Sequence, residues 1–205
     1  GYMSAMTLMQ SNDGEHHDYV DLGEEVADVS DTTELDLAQL WRRMAFSVLI
    51  HNTDDHLRNH GFLRTASGWT LSPAFDVNPN PDERAGRQTA ISGAVSRDKE
   101  VASLLLCAPV FGLDDSQARS VLGEVSEATR NWREVARTNG VTDAEIKRFE
   151  GAFEGLRADF DREQHAGTSR GSTSRGSGRV RGTTTRQSNS GSYRTHERAE
   201  PDVNL

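Results

Sequence analysis

"RRMAFSVLIHNTDDHLRNHGFL", Arg42–Leu63, sets an apolar segment directly against a run holding two aspartates, two asparagines and three histidines. The apolar part, "MAFSVLI", is apolar all round, which implies burial on more than one side and a rigid base for the polar run. Upstream, Asp31, Thr32 and Thr33 offer cap oxygens, Glu34 and Asp36 suit a first turn, and Leu37, Leu40, Trp41, Met44 and Val48 recur at helical spacing. This pattern predicts a helix from about Thr33 to near Asn52, with the polar run as the loop that leaves it. Downstream, "GFLRTASGWTLSPAFDV" carries short β-favouring runs around Ser67 and Gly68, which predicts a hairpin over about Phe62–Leu71. Further helices are expected from Lys99 to Ala108, from Asp115 to Asn139 with Gly140 as the stop, and from Asp143 to about Arg162. On the last of these Ile146, Phe149, Phe153, Leu156 and Phe160 form one stripe, read as core. The fold class expected is mainly α with one short β-hairpin beside the loop.

Composition narrows the function classes. At 205 residues, 34% hydrophobic, the chain is expected to bury one core. It shows no apolar run of about 18 residues and no basic-then-apolar leader, so a cytoplasmic protein without a membrane segment is expected. Cys107 lies among Leu104, Leu105, Leu106 and Ala108 and reads as a buried, inert thiol. The net charge of −9 is uneven: residues 165–205 hold seven arginines against three acidic groups, so the preceding part is strongly acidic. That balance argues against direct nucleic-acid binding by the body of the protein. From His165 the Gly, Ser, Thr and Arg-rich text offers almost nothing to bury, and residues 165–205 are expected to be a disordered tail after a domain over 1–164.

The loop can be read by spacing. Asp54 and Asn59 lie five residues apart, and a second aspartate, Asp76, arrives after the hairpin in "PAFDV". Protein kinases use this order: an aspartate takes the substrate hydroxyl's proton, an asparagine five residues on holds Mg²⁺, and a later aspartate holds metal at the nucleotide phosphates. Phosphoryl transfer needs positioning and charge neutralisation more than covalent help, which is why hard oxygen ligands suit it. Two other readings of the loop stand beside this one. A metal-dependent hydrolase would use His51, Asp54, Asp55, His56 and His60 as ligands. A purely structural loop would use Asp54 as a turn cap and Asn59 to satisfy backbone groups. His16 and His17, among Asp13, Glu15 and Asp18, read as a solvated loop rather than a metal site.

Over a longer span, "RRMAFSVLIHNTDDHLRNHGFL" followed by "WTLSPAFDVNPNP" resembles the catalytic segment of the HipA family of serine/threonine kinases, toxins of bacterial toxin–antitoxin modules. The resemblance is close over Arg42–Pro81 and looser from Tyr2 to about Phe160. It implies a kinase-like C-terminal lobe of an α+β fold, with ATP and Mg²⁺ as cofactors. By the same resemblance Asp54 is the catalytic base, Asn59 and Asp76 are the metal ligands, and His56, Leu57, Arg58, Asn59, Phe75 and Asp76 border the nucleotide. Val77 stands where the wider kinase pattern has glycine, as expected within this family. The two lysines, Lys99 and Lys147, both come after the catalytic segment, and no glycine-rich loop precedes it. The expectation is therefore a C-terminal lobe alone, inactive by itself, with an N-terminal lobe supplied by a longer gene or a separate chain. The partners implied are a HipB-like antitoxin and a protein substrate bearing the acceptor serine or threonine. The corresponding non-enzymatic reading is a C-lobe that acts only as an antitoxin-binding module.

Overall fold

The computed structural model describes residues 1–12 and 14–169. The chain begins with strand β1 (Tyr2–Ser4) and one short helical turn, α1 (Ala5–Leu8). Strand β2 (His17–Asp18) then leads into α2 (Tyr19–Val29), whose first turn is capped by the Asp18 carboxylate accepting from Val20 N–H at 2.9 Å. Asp18 also accepts from the backbone N–H groups of Ser92 and Gly93, so one side chain caps a helix and closes a distant turn. Neither β1 nor α2 is among the elements expected from the sequence.

The central element is α3 (Thr33–Leu49), which buries Leu40, Trp41, Met44, Ala45, Val48 and Leu49 almost completely. It stops short of Asn52 because His51 adopts a left-handed backbone (φ 54°) and Asn52 N–H turns back to Ser47 O at 2.8 Å. That is how a helix closes when its terminal carbonyls need partners. The expected hairpin is present as β3 (Gly61–Arg64) and β4 (Trp69–Leu71), with Phe62 opposite Leu71 and Arg64 opposite Trp69. β1 adds antiparallel to its other side, giving the order β1-β3-β4. Buried Asp36 fastens this sheet to α3 by accepting from Ser30 Oγ at 2.7 Å, Leu71 N–H at 3.0 Å and Thr70 Oγ1 at 3.2 Å. A second, two-stranded parallel sheet joins β2 to β5 (Thr89–Ala90).

The remaining helices are α4 (Arg97–Cys107), α5 (Asp115–Ala128), α6 (Trp132–Thr138), α7 (Asp143–Glu154) and α8 (Arg157–Ser169). The helix expected over Asp115–Asn139 is interrupted after Ala128. Thr129 Oγ1 donates back to the carbonyls of Val125 and Ser126 at 3.1 Å, while Arg157 donates to Thr129 O, so the chain turns there instead of continuing. The helix expected over Asp143–Arg162 is likewise two helices, and its apolar stripe divides between them. Ile146, Leu156 and Phe160 are core, whereas Phe149 and Phe153 are only half-buried and line an apolar groove with Trp132 and Val135.

One core unites α2 through α5 with α8: Tyr19, Leu22, Trp41, Phe62, Leu104, Phe111, Leu122 and Phe160 all belong to it. Trp41 keeps its indole N–H satisfied on Leu104 O at 3.1 Å. Cys107 is buried and its thiol is pushed up to about 12 by desolvation, as an inert core residue should be. Among the described residues no helix is long and apolar enough to cross a membrane. Helix α8 runs five residues past the boundary expected at 164, and the expectation of a disordered tail over 170–205 lies outside the described residues.

Candidate active site

The loop after α3 is held by backbone geometry first. His51 lies in the left-handed region, its imidazole Nε2 stands 2.9 Å from Asp82 O, and its carbonyl accepts from Asn80 N–H at 2.9 Å. It is a packed structural histidine. Thr53 is fixed twice, by Asn80 Nδ2 donating to its hydroxyl oxygen at 2.8 Å and by Gln88 N–H donating to its carbonyl at 3.0 Å. Leu57, almost fully buried, anchors a short 3-10 turn over Leu57–Asn59, and Asn59 Nδ2 donates back to Asp54 O at 2.9 Å. This last bond spans the five-residue interval read from the sequence and couples the orientation of Asn59 to that of Asp54.

The second aspartate of the pair has a different task. Asp55 is 1% exposed and accepts from Arg87 Nη1, from the Tyr19 hydroxyl at 2.9 Å and from Thr89 N–H at 3.4 Å. Thr89 Oγ1 donates to the Asp55 carbonyl at 2.7 Å. Arg87, itself buried, donates through Nε to Glu100 Oε1 at 2.6 Å. Burial alone would lower the guanidinium's pKa, but the Asp55 and Glu100 carboxylates outweigh it and raise the value, so the cation is locked on. Tyr19 is raised well above an ordinary phenol by burial and by the Asp55 charge. Its hydroxyl therefore stays protonated and stands 3.2 Å from His60 Nε2. From the sequence Asp55 entered only the hydrolase reading, while His60, like His51, read first as a surface or loop-packing histidine. The structure commits Asp55 and His60 to this buried network, and among the described residues no three His, Cys, Asp or Glu side chains are grouped to hold a metal. Arg87, Gln88, Thr89 and Tyr19 were missed altogether. Their sequence separation from the loop, 32 residues for Arg87 and 36 for Tyr19, leaves no local pattern to detect.

Three of the predicted residues reach a cleft of about 310 Å³ between α3, the loop, the 74–77 segment and α5, whereas Asp54, His56, Leu57 and Arg58 do not line it. Asn59, Phe75 and Asp76 line it, with Val77 beside them and Phe46 and Val125 as apolar walls. Asn59 and Asp76 thus reach one cleft from segments 17 residues apart. Asp76 is exposed, sits at a left-handed φ of 52°, and accepts from Asn78 Nδ2 at 2.9 Å through Oδ1. Asp54 projects outward, its side chain 68% exposed, with His56 Nε2 at 3.9 Å and Gln88 Nε2 donating to Oδ1 at 3.1 Å. Arg58 is exposed on the same 3-10 turn, while the Leu57 side chain is buried in the core. His16 is exposed, in keeping with the expected loop, but His17 and Asp18 form β2 and are half-buried, with His17 bound to Ser11 Oγ at 2.7 Å; Asp13 of that stretch lies outside the described residues.

Burial of His60 carries a pH consequence. Desolvation, with the Arg43 guanidinium second, lowers its pKa from 6.5 to about 4, so the folded chain holds it neutral. The unfolded chain takes up a proton near 6.5 that the folded chain refuses until about 4. Stability from this group is complete above pH 6.5 and is lost as the pH falls through that window, by up to about 3 kcal/mol. Urea unfolding at about pH 7.5 and about pH 5 should show the loss, and His60→Gln should flatten it.

Two comparisons bear on this arrangement. No curated protein matches the chain. Residues 1–132, which carry the loop, the hairpin, Asp76 and the Arg87 network, match the family model described as the HipA-like C-terminal domain. The match takes in the close likeness over Arg42–Pro81 and most of the looser one read from Tyr2 to about Phe160, ending at residue 132. The chain belongs to the HipA-like family, of which it carries the C-terminal domain.

Proposed function

We propose that this domain is the C-terminal lobe of a HipA-like serine/threonine protein kinase, a toxin of a toxin–antitoxin module that transfers the ATP γ-phosphoryl group to a protein hydroxyl. The observation that supports it best is the pairing of Asn59 and Asp76 in one cleft, with Asn59 bonded to the backbone of an outward-facing Asp54. The donor set fits a hard cation. Asn59 spends its amide N–H on Asp54 O, which leaves Oδ1 as an acceptor, and Asp76 keeps Oδ2 beyond its bond with Asn78. Mg²⁺ bound with ATP would supply charge neutralisation on the phosphates. Asp54 is the proton acceptor for the incoming hydroxyl: its exposure leaves the carboxylate within reach of a macromolecular substrate. His56 and Arg58 stand on the same loop to border the phosphates. Lys99 and Lys147 lie on α4 and α7, exposed and after the site, so the proposal assigns the phosphate-anchoring lysine and the glycine-rich loop to an N-terminal lobe, in the same protein or a separate chain. A HipB-like antitoxin and a serine- or threonine-bearing protein are the partners this function requires, and the cytoplasm is where both would be met.

The test is to join the chain to an N-terminal lobe of the family and measure Mg·ATP affinity together with transfer to a serine substrate. Asp76→Asn should weaken Mg·ATP binding about tenfold and slow transfer as well, because a charged ligand acts in both the ground and transition states. Asn59→Ala should fall between Asp76→Asn and the parent. The 205-residue chain by itself should bind Mg·ATP weakly; micromolar affinity measured by calorimetry would contradict the assignment of the phosphate anchors to another lobe. If the joined protein binds antitoxin but transfers nothing, the module acts without catalysis and the kinase reading is replaced by the interaction-module one.

A further inference from the structure

We infer that Gln88 is a positioning residue that aims Asp54, holding carboxylate oxygen Oδ1 so that Oδ2 faces the acceptor hydroxyl. The catalytic meaning of this contact rests on the kinase reading; the contact itself does not. An aspartate side chain that is 68% exposed is free to rotate unless something holds it, and His56 Nε2 at 3.9 Å is beyond hydrogen-bond length. Gln88 Nε2, at 3.1 Å, is within it.

Gln88 is well built for that task. Its own backbone N–H is bonded to Thr53 O at 3.0 Å, one residue before Asp54, so donor and acceptor are referred to the same point of the loop. Its neighbours on either side, Arg87 and Thr89, both bind Asp55. The 87–89 stretch therefore runs alongside 53–55, and Thr89 is held in turn by its parallel pairing with His17. Gln88 sits at a bend immediately before β5, which divides the labour among the three residues. Arg87 and Thr89 point inward and are buried, whereas Gln88 points out to the exposed carboxylate. The rigid part of the contact is thus inside, and only its last bond reaches the site. Holding a reacting group in one orientation is worth roughly one to two orders of magnitude in rate when that orientation is the productive one.

Because Gln88 is exposed, substitutions there leave the core and the Gln88 N–H to Thr53 O bond in place. Gln88→Met keeps the length and removes the donor, Gln88→Glu keeps the shape and adds a repelling carboxylate, and Gln88→Lys restores a donor on a flexible stem. In the enzyme completed with an N-terminal lobe, Gln88→Met should lower kcat about tenfold with KM for ATP unchanged, Gln88→Glu should lower it further, and Gln88→Lys should recover to within about threefold of the parent. In the 205-residue chain itself, NMR couplings across Cα–Cβ of Asp54 should report a single rotamer for the parent and Gln88→Lys, and averaging for Gln88→Met. Equal kcat in the Met and Lys variants, or equal couplings in the parent and Gln88→Met, would overturn the inference. Absence of transfer by the parent would sink the kinase reading alone, since the couplings still report whether Gln88 orders Asp54.

Discussion

Asp54→Asn is expected to reduce phosphoryl transfer by about 10²–10⁴-fold, the range general-base catalysis supplies, while leaving Mg·ATP affinity within about twofold. The asymmetry comes from where the carboxylate stands. Asp54 is turned outward, and it is Asn59, bonded to the Asp54 backbone carbonyl, that lines the cleft, so in the proposed kinase the carboxylate would meet the acceptor hydroxyl and not the nucleotide. The substitution is nearly isosteric and preserves an Oδ1 acceptor for Gln88 Nε2, so the loop should not rearrange. Single-turnover phosphorylation of a serine substrate, run beside ATP binding, separates the two effects. Activity within a few fold of the parent would remove Asp54 from the role of base and return the loop to a structural reading.

The largest loss of stability is expected from Arg87→Met, about 3–5 kcal/mol in urea unfolding at about pH 7, because removing one member of a buried ion cluster strands the others. Asp55 and Glu100 are each 1% exposed, and Glu100 Oε2 already lacks a hydrogen-bond partner among the described residues. With the guanidinium gone, two buried carboxylates lose their shared cation, and among the described residues Tyr19 and Thr89 are left to donate to the Asp55 carboxylate. The methionine fills the volume, so a cavity is not the cause. Adding Asp55→Asn to the Arg87→Met background should recover part of the loss by removing one stranded charge, and a double-mutant cycle measures how much. A cost under about 1 kcal/mol, as for an exposed pair, would show that the cluster is open to water.

The sequence conveyed the helical frame and the chemistry of the loop unequally. The long helix and the hairpin were legible because each is carried by local spacing: helical periodicity, or a turn flanked by β-formers. The trio Asp54, Asn59 and Asp76 was singled out by residue order together with the family resemblance, and the fold brings Asn59 and Asp76 to one cleft while Asp54 faces outward. Helix α2 was not legible, since "YVDLGEEVADV" carries a glycine that lowers helix propensity. The structure uses that glycine for space, as a Cβ on Gly23 would stand 2.9 Å from the Phe111 ring. The break at Thr129 was invisible for the opposite reason: no Pro or Gly marks it, and the turn is imposed by Arg157 reaching back from α8. The partition between Asp54 and Asp55 could not be read locally either. Two adjacent aspartates look alike in a sequence. Only the arrival of Arg87 on one and not the other leaves the first exposed and makes the second a foundation.

Helix α8 separates two boundaries that are easily confused. The family-model match stops at residue 132, yet Leu156 and Phe160 close the same interior as Leu122 and Val125. A Cβ on Gly123 would clash with Gln164, Ser126 Oγ donates to Asp161 at 2.7 Å, and Arg157 caps the carbonyls of Ser126 and Thr129. A fragment cut where ancestry ceases to be visible would contain every group assigned to chemistry and still expose the flank of α5 to water. Heredity and foldability thus have different right-hand edges in this chain, and an expression fragment has to respect the second.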